Sequence, residues 1–232
     1  MKRPATILFA LLLIALSLGS AAQQKDSSAL DAVLKKMDAT AAGFRTTQAD
    51  FVWQQYQKVV DDTDTQKGTV YYRRSGKDIE MMADIKEPDR KFVLYKDAKL
   101  QVYQPKIEQV MVHAAGTHRG EIESYLVLGF GGSGQDLVKA FDVTYQGPET
   151  INSIATAKLQ LIPKSEKVRQ TFDKIFLWID LERGVSLQQQ FFTREGDYRL
   201  AKYSDIRVNE KVPGDVFQLK TTGKTQFVSS GG

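Results

Sequence analysis

The sequence predicts a mainly β domain: an antiparallel sheet or barrel of ten to twelve short strands, entered through one amphipathic helix. Three observations predict it. From residue 48 onward, apolar and aromatic residues recur with a period of two, the period of a strand. Turn-forming clusters cut these runs at short intervals, and no long helical segments separate them, so βαβ units are excluded. Before residue 43 the period is instead that of a helix: Leu30, Val33, Leu34, Met37 and Ala41 fall at i, i+3, i+4, i+7 and i+11.

The first 22 residues read as an export signal. Lys2 and Arg3 precede a short apolar stretch from Ala5 to Leu18, and Ser20-Ala21-Ala22 offers small residues to a signal peptidase. The stretch is short for the roughly 20 residues of a spanning helix. Cleavage after Ala22 leaves one domain, 23–232, with a polar tail from about Thr221. The chain has no cysteine. It therefore carries no lipid on a cleavage-site cysteine, and the exported domain stands on its core without disulfides. Loss of Lys2 and Arg3 takes the net charge from +4 to +2, and no run of Lys and Arg exceeds two. The dense basic stripe of a nucleic-acid binder is missing.

The elements follow in order. Ser27 or Ser28 is placed to cap the helix and Gly43 to end it. Strands are expected over 48–60, 67–74, 78–85, 91–96, 99–104 and 107–113. Asp61-Asp62-Thr63-Asp64, Ser75-Gly76, Lys96-Asp97-Ala98 and Gln104-Pro105-Lys106 are read as turns. Glu121 to Leu128 reads as a short helix, residues 129–134 as a glycine-rich hinge, and Asp136 to Ala140 as a helical turn. Strands resume at 141–145, 153–162, 172–181, 185–193 and 197–208. Pro213-Gly214-Asp215-Val216-Phe217 turns into a last short strand.

Catalytic chemistry finds no footing. His113 and His118 have no cysteine or spaced carboxylate to complete a metal site. Residues 129–134 match G-x-G-x-x-G formally, but a helix precedes them in an antiparallel protein, whereas a dinucleotide site needs a strand before and a long helix after. Gln135 breaks the G-x-S-x-G pattern after Ser133. The aspartates at 61, 62 and 64 lack the glycine and closing glutamate of a calcium loop. No cofactor and no enzymatic activity are expected. What remains is apolar surface on both parities of several strands, which suits a barrel packing the helix on one face and a core or cavity on the other. Periodicity does not separate a filled barrel from a hollow one. Phe51, Trp53, Val70, Tyr72, Met81 and Leu94 are the residues expected to border the cavity or the core beneath it. Ile122, Tyr125, Leu126 and Leu128 are expected to form a lid over its mouth. Val70, Tyr72 and Arg74 share a face, so a cation lies beside apolar surface, or else Arg73 and Arg74 are a solvated pair at a hairpin end.

The chain resembles the periplasmic outer-membrane lipoprotein carriers, the LolA-like family. The resemblance runs through Ala49-Asp50-Phe51-Val52-Trp53-Gln54-Gln55 and Gly68-Thr69-Val70-Tyr71-Tyr72-Arg73-Arg74. Its best stretch is Leu94 to Val110, with Asp97-Ala98-Lys99 in place of D-G-K, Tyr103-Gln104-Pro105 for Y-x-P, and Glu108-Gln109. Trp178-Ile179-Asp180, Phe191 to Gly196, Tyr203 to Asn209 and Phe217-Gln218-Leu219 resemble its late hairpin and end. The resemblance implies an eleven-stranded half-open barrel with a short helical lid. It implies a monomeric, non-enzymatic carrier that shields lipoprotein acyl chains in the periplasm. The cargo would come from an inner-membrane transporter and pass to an outer-membrane receptor. By the same resemblance, Arg74 would latch the lid by bonding its backbone in the closed state, and Arg73 would be dispensable. Ser75 stands where the family often has proline, and relatives of the fold bind other lipids, so a free lipid or glycolipid is the alternative cargo.

Overall fold

A computed structural model describes residues 8–76, 78–114, 116 and 128–229. Helix α1 spans Leu8–Gly43. Six strands follow: β1 (Thr46–Gln57), β2 (Asp62–Ser75), β3 (Asp78–Glu87), β4 (Lys91–Lys96), β5 (Lys99–Gln104) and β6 (Gln109–Ala114). Helix α2 (Gly134–Ala140) leads into β7 (Phe141–Ile151) and β8 (Ile154–Pro163). The one-turn helix α3 (Glu166–Arg169) leads into β9 (Lys174–Asp180), β10 (Ser186–Phe192) and β11 (Tyr198–Val208). A 3₁₀ turn at Gly214–Phe217 and strand β12 (Gln226–Ser229) complete the chain. Among the described residues, no helix is long and apolar enough to cross a membrane.

All twelve strands join one sheet in the order β12-β6-β5-β4-β3-β2-β1-β11-β10-β9-β8-β7. Neighbours are antiparallel throughout except β12, which lies parallel to β6. The mainly β class and the leading helix are as the sequence predicts. The count is twelve rather than eleven, and the sheet stays open, with β12 and β7 at its edges. The extra strand comes from the tail expected to be a polar end: Gln226 N donates to the Glu108 carbonyl at 2.8 Å, which starts the pairing with β6. The turn expected over Pro213–Phe217 is a 3₁₀ turn that buries Phe217, but the short strand expected to follow it directly does not form.

Other boundaries differ too, and β7 runs to Ile151 rather than ending at residue 145. The helix does not begin at Ser27 or Ser28. Ser27 Oγ donates to the Gln24 carbonyl at 2.9 Å, the backward bond that lets serine sit inside a helix. The turn expected at residues 61–64 lies at 58–61, and Asp62 already pairs with Gln57. Asp61 takes the positive φ of 50° that the turn requires, a conformation aspartate tolerates.

The sheet has two apolar faces for different reasons. The inner face carries two adjoining clusters. One joins Val33, Leu34 and Met37 of α1 to Leu137, Leu159, Leu177 and Ile179, so the helical stripe seats on β7–β9. The other joins Phe51, Val70, Tyr72, Met81, Ile85 and Tyr203 to Phe44 and Phe130. The outer face of β3 and β4 is apolar because the C-terminal segment covers it: Met82 and Leu94 pack with Phe217. Asn209, at the end of β11, fixes the helix against the sheet. Its Nδ2 donates to the Gly43 carbonyl at 2.9 Å and its Oδ1 accepts from Arg45 N at 2.7 Å.

Candidate functional site

The inner face is not fully covered. Between the two clusters lies a cavity of about 500 Å³, open at one end. Strand register builds its wall. Trp53 pairs with Ala201 and with Gln66, Ala201 pairs with Gln189, and Tyr72 pairs with Met81, so alternate residues of β1, β2, β3, β10 and β11 converge inward. Ile85, Val93, Val102, Phe172 and Phe191 complete the apolar lining. At the open end the lining turns polar, with Gln55, Asp64, Gln66, Lys91 and Arg199.

The expected residues divide. Trp53, Tyr72 and Met81 line the cavity. Phe51 is buried behind the wall and stacks on Trp53 at a centroid distance of 4.0 Å, and Val70 lies in the same buried cluster. Leu94 does not belong here. It pairs with Met82 on the outer face and packs on Phe217. The physical reason is parity: Val93 and Tyr95 take the inward positions of β4, so Leu94 must point out. Of the expected lid, Ile122, Tyr125 and Leu126 lie outside the described residues. Leu128 is buried against Val33, Leu34 and Leu137.

The segment just after Leu128 forms a plug that packs behind two lining residues, Tyr72 and Tyr203. Phe130 is fully buried, stacks on Tyr72 at 5.5 Å and meets Tyr203 edge-on at 4.7 Å. Its backbone is held through the carbonyls of Leu128, Gly129 and Gly131, not left loose. Leu128 O accepts from Gln189 Nε2, Gly129 O accepts from Ser186 N at 2.8 Å, and Gly131 O accepts from Arg74 Nη2 at 2.8 Å. The glycines, expected to form a hinge, serve close packing. At Gly129 and Gly131, with φ near 80°, a Cβ would come within 2.1 Å of Ser186 Cβ and 2.4 Å of the Phe44 ring. Side chains do not fit there, and the left-handed backbone disfavours them independently.

Arg74 faces inward, on the parity of Val70 and Tyr72. Its Nη1 donates to the Ala41 carbonyl at 3.1 Å, in the last turn of α1, which also accepts from Phe44 N at 3.3 Å, and its guanidinium lies 5.5 Å from the Phe44 ring. One planar fork thus joins helix end, plug and sheet. Arg73 is neither solvated nor spare. On the outer face its Nε donates to Glu80 Oε2 at 2.6 Å, and its guanidinium lies 4.3 Å over Phe217, clamping the C-terminal segment.

Burial pushes the phenols of Tyr72 and Tyr203 well above their ordinary range, so both stay neutral. Tyr203 OH bonds Gln189 Oε1 at 3.4 Å. Phe130, Gln189, Tyr203, Phe172 and Phe191 are not singled out by the sequence. The alternation of Arg199, Ala201 and Tyr203 along β11 is the available signal, but it does not say which parity faces inward.

The model of the family described as outer membrane lipoprotein carrier protein LolA matches residues 42–220. The chain belongs to the LolA family. The match takes in Phe44, the whole plug and every strand but β12. No curated protein sequence matches the chain. Among solved structures, an uncharacterised conserved protein from Thermus thermophilus is similar at 12% identity, covering 85% of this chain and 97% of that one, with a TM-score of 0.54. MucB is similar at 12% identity and a TM-score of 0.52. Its match covers 84% of this chain but only 63% of MucB, so the chain spans less than two thirds of that protein. At these identities the similarity shows the LolA-like fold alone.

Proposed function

We propose that this protein is a periplasmic carrier that shields the acyl chains of lipoproteins in the cavity and ferries them from the inner to the outer membrane. Residues 1–22 would be removed on export, leaving 23–232 as one carrier domain. The observation that carries the reading is a walled apolar cavity, open to solvent, whose lining residues Tyr72 and Tyr203 pack on a plug segment that Arg74 holds through its backbone. A volume near 500 Å³ lies within the roughly 300–1,000 Å³ of ligand sites. Each methylene buried there is worth about 0.8 kcal/mol. Trp53, Tyr72, Met81 and Ile85 give non-directional attraction suited to chains of differing length. Displacing Phe130 would lengthen the cavity, and returning it would help expel the cargo. The transporter that loads the carrier and the receptor that unloads it would therefore act on the plug.

Mass spectrometry of what copurifies with the protein from periplasm tests this. Acylated lipoproteins are expected. Recovery of free lipid or glycolipid alone would keep the cavity and reassign its cargo. A protein with no apolar passenger, and no uptake of an apolar fluorescent probe, would refute the carrier reading.

A further inference from the structure

We propose that the open end of the cavity is a membrane-docking edge, where the Val59–Val60 tip of the β1–β2 hairpin enters the interface of a lipid bilayer. Val59 is 94% exposed and Val60 64%, the two most exposed large apolar residues described. They occupy the centre of the turn closed by Asp61 N donating to the Lys58 carbonyl at 3.4 Å. Turn centres favour glycine, asparagine, aspartate, serine or proline. Two β-branched residues there gain nothing locally and bury little in the fold.

The tip is also held firmly. Lys58 N donates to Asp197 Oδ1 at 2.9 Å, and Tyr56 OH donates to Asp61 Oδ1 at 2.9 Å. Behind it, on the outer face of the sheet, an aromatic strip runs from Tyr56 to Tyr198 at 5.0 Å and on to Phe192 at 5.8 Å. Lys174 Nζ lies 5.2 Å from the Phe192 ring. Aromatic rings beside lysines whose stems lie on apolar surface are the groups that settle at headgroup depth. Lys174 and Lys202 on this face meet no carboxylate among the described residues, and lipid phosphates would complement them. Asp61, Asp62 and Asp64 flank the tip on the β2 side. The seat is therefore an apolar wedge with lysines on one flank, not a basic patch.

Position gives the edge its use. Gln55 pairs with Asp64 and with Arg199, and all three line the cavity mouth one residue from Tyr56. Docking by the valines would set that mouth against the lipid from which an acyl chain leaves or into which it goes.

The test is sedimentation of the purified protein with vesicles of phosphatidylethanolamine and phosphatidylglycerol. The protein is expected to pellet with vesicles. Val59→Asp combined with Val60→Asp should lower the bound fraction about tenfold, and the paired leucine substitutions should preserve it. Uptake of an apolar probe by the cavity should be the same in all three, which separates this proposal from the carrier reading. Since the chain has no cysteine, a Val60→Cys variant takes a single environment-sensitive dye, whose emission should shift to the blue on vesicles. Equal pelleting of the aspartate variant, absence of wild-type binding, or an unshifted dye would overturn the docking edge.

Discussion

Arg74 Nη2 donates to the Gly131 carbonyl at 2.8 Å, while Nη1 of the same guanidinium donates to the Ala41 carbonyl, far earlier in the chain. The pair ties the plug to the end of α1 through one side chain on β2. Movement of the plug on loading would break the Gly131 bond, and its re-formation would favour release.

Arg74→Leu should fold but lose that bias. Leaving the Gly131 carbonyl without its donor, while Ala41 O keeps Phe44 N, costs about 1–3 kcal/mol of local stability. Amides at 128–131 should exchange faster, and loaded carrier should pass less cargo to receptor-bearing membranes. Arg74→Lys should rescue only part of the transfer, since an ammonium cannot reproduce the planar fork. Wild-type transfer by Arg74→Leu would remove the latch from the mechanism.

Gly131→Ala should loosen the plug from the other side. The new Cβ would meet the Phe44 ring at 2.4 Å on a backbone with φ of 79°. A destabilisation of about 1–3 kcal/mol is expected from overpacking and the left-handed conformation together. Thermal unfolding measures it, and an unchanged Tm would show that Phe44 yields freely.

Ala201→Phe should fill the cavity without disturbing its wall. Ala201 lies between Trp53 and Gln189 in register and lines the space. The extra ring has a void to enter, so the stability cost stays below about 1.5 kcal/mol. Affinity for an apolar fluorescent probe should fall roughly tenfold, the order expected when a buried contact surface is lost. Unchanged affinity would place the ligand elsewhere.

Arg73→Leu should destabilise the protein, contrary to what its place at a hairpin end suggests. Glu80 is buried and, among the described residues, would retain only the ion pair with Lys96, at 3.4 Å. A half-buried pair broken on one side costs about 2–4 kcal/mol, and the paired change Arg73→Leu with Glu80→Leu should recover much of it. Urea denaturation distinguishes the two variants. Cargo transfer by the fraction that stays folded should remain normal, because Arg73 faces away from the cavity.

The sequence by itself determined the local features. Period-two alternation located most strands to within a few residues. The stripe from Leu30 to Ala41 set the face that α1 buries, and shared parity placed Tyr72 with Arg74. Those follow from backbone geometry, which a short window of sequence carries. Only the tertiary structure decided which face is inward and what covers each one. Leu94 and Met81 look alike in sequence, yet one packs beneath Phe217 and the other lines the cavity, because the C-terminal segment folds over the outer face. The glycines at 129 and 131 read as freedom until Ser186 and Phe44 are found against them. Val59 and Val60 read as the end of an apolar strand until the hairpin turns at Lys58 and leaves them in solvent. At Leu94 and at the two glycines the deciding partner lies far off in the chain, and covering a face is a matter of burial between distant segments, which periodicity does not encode.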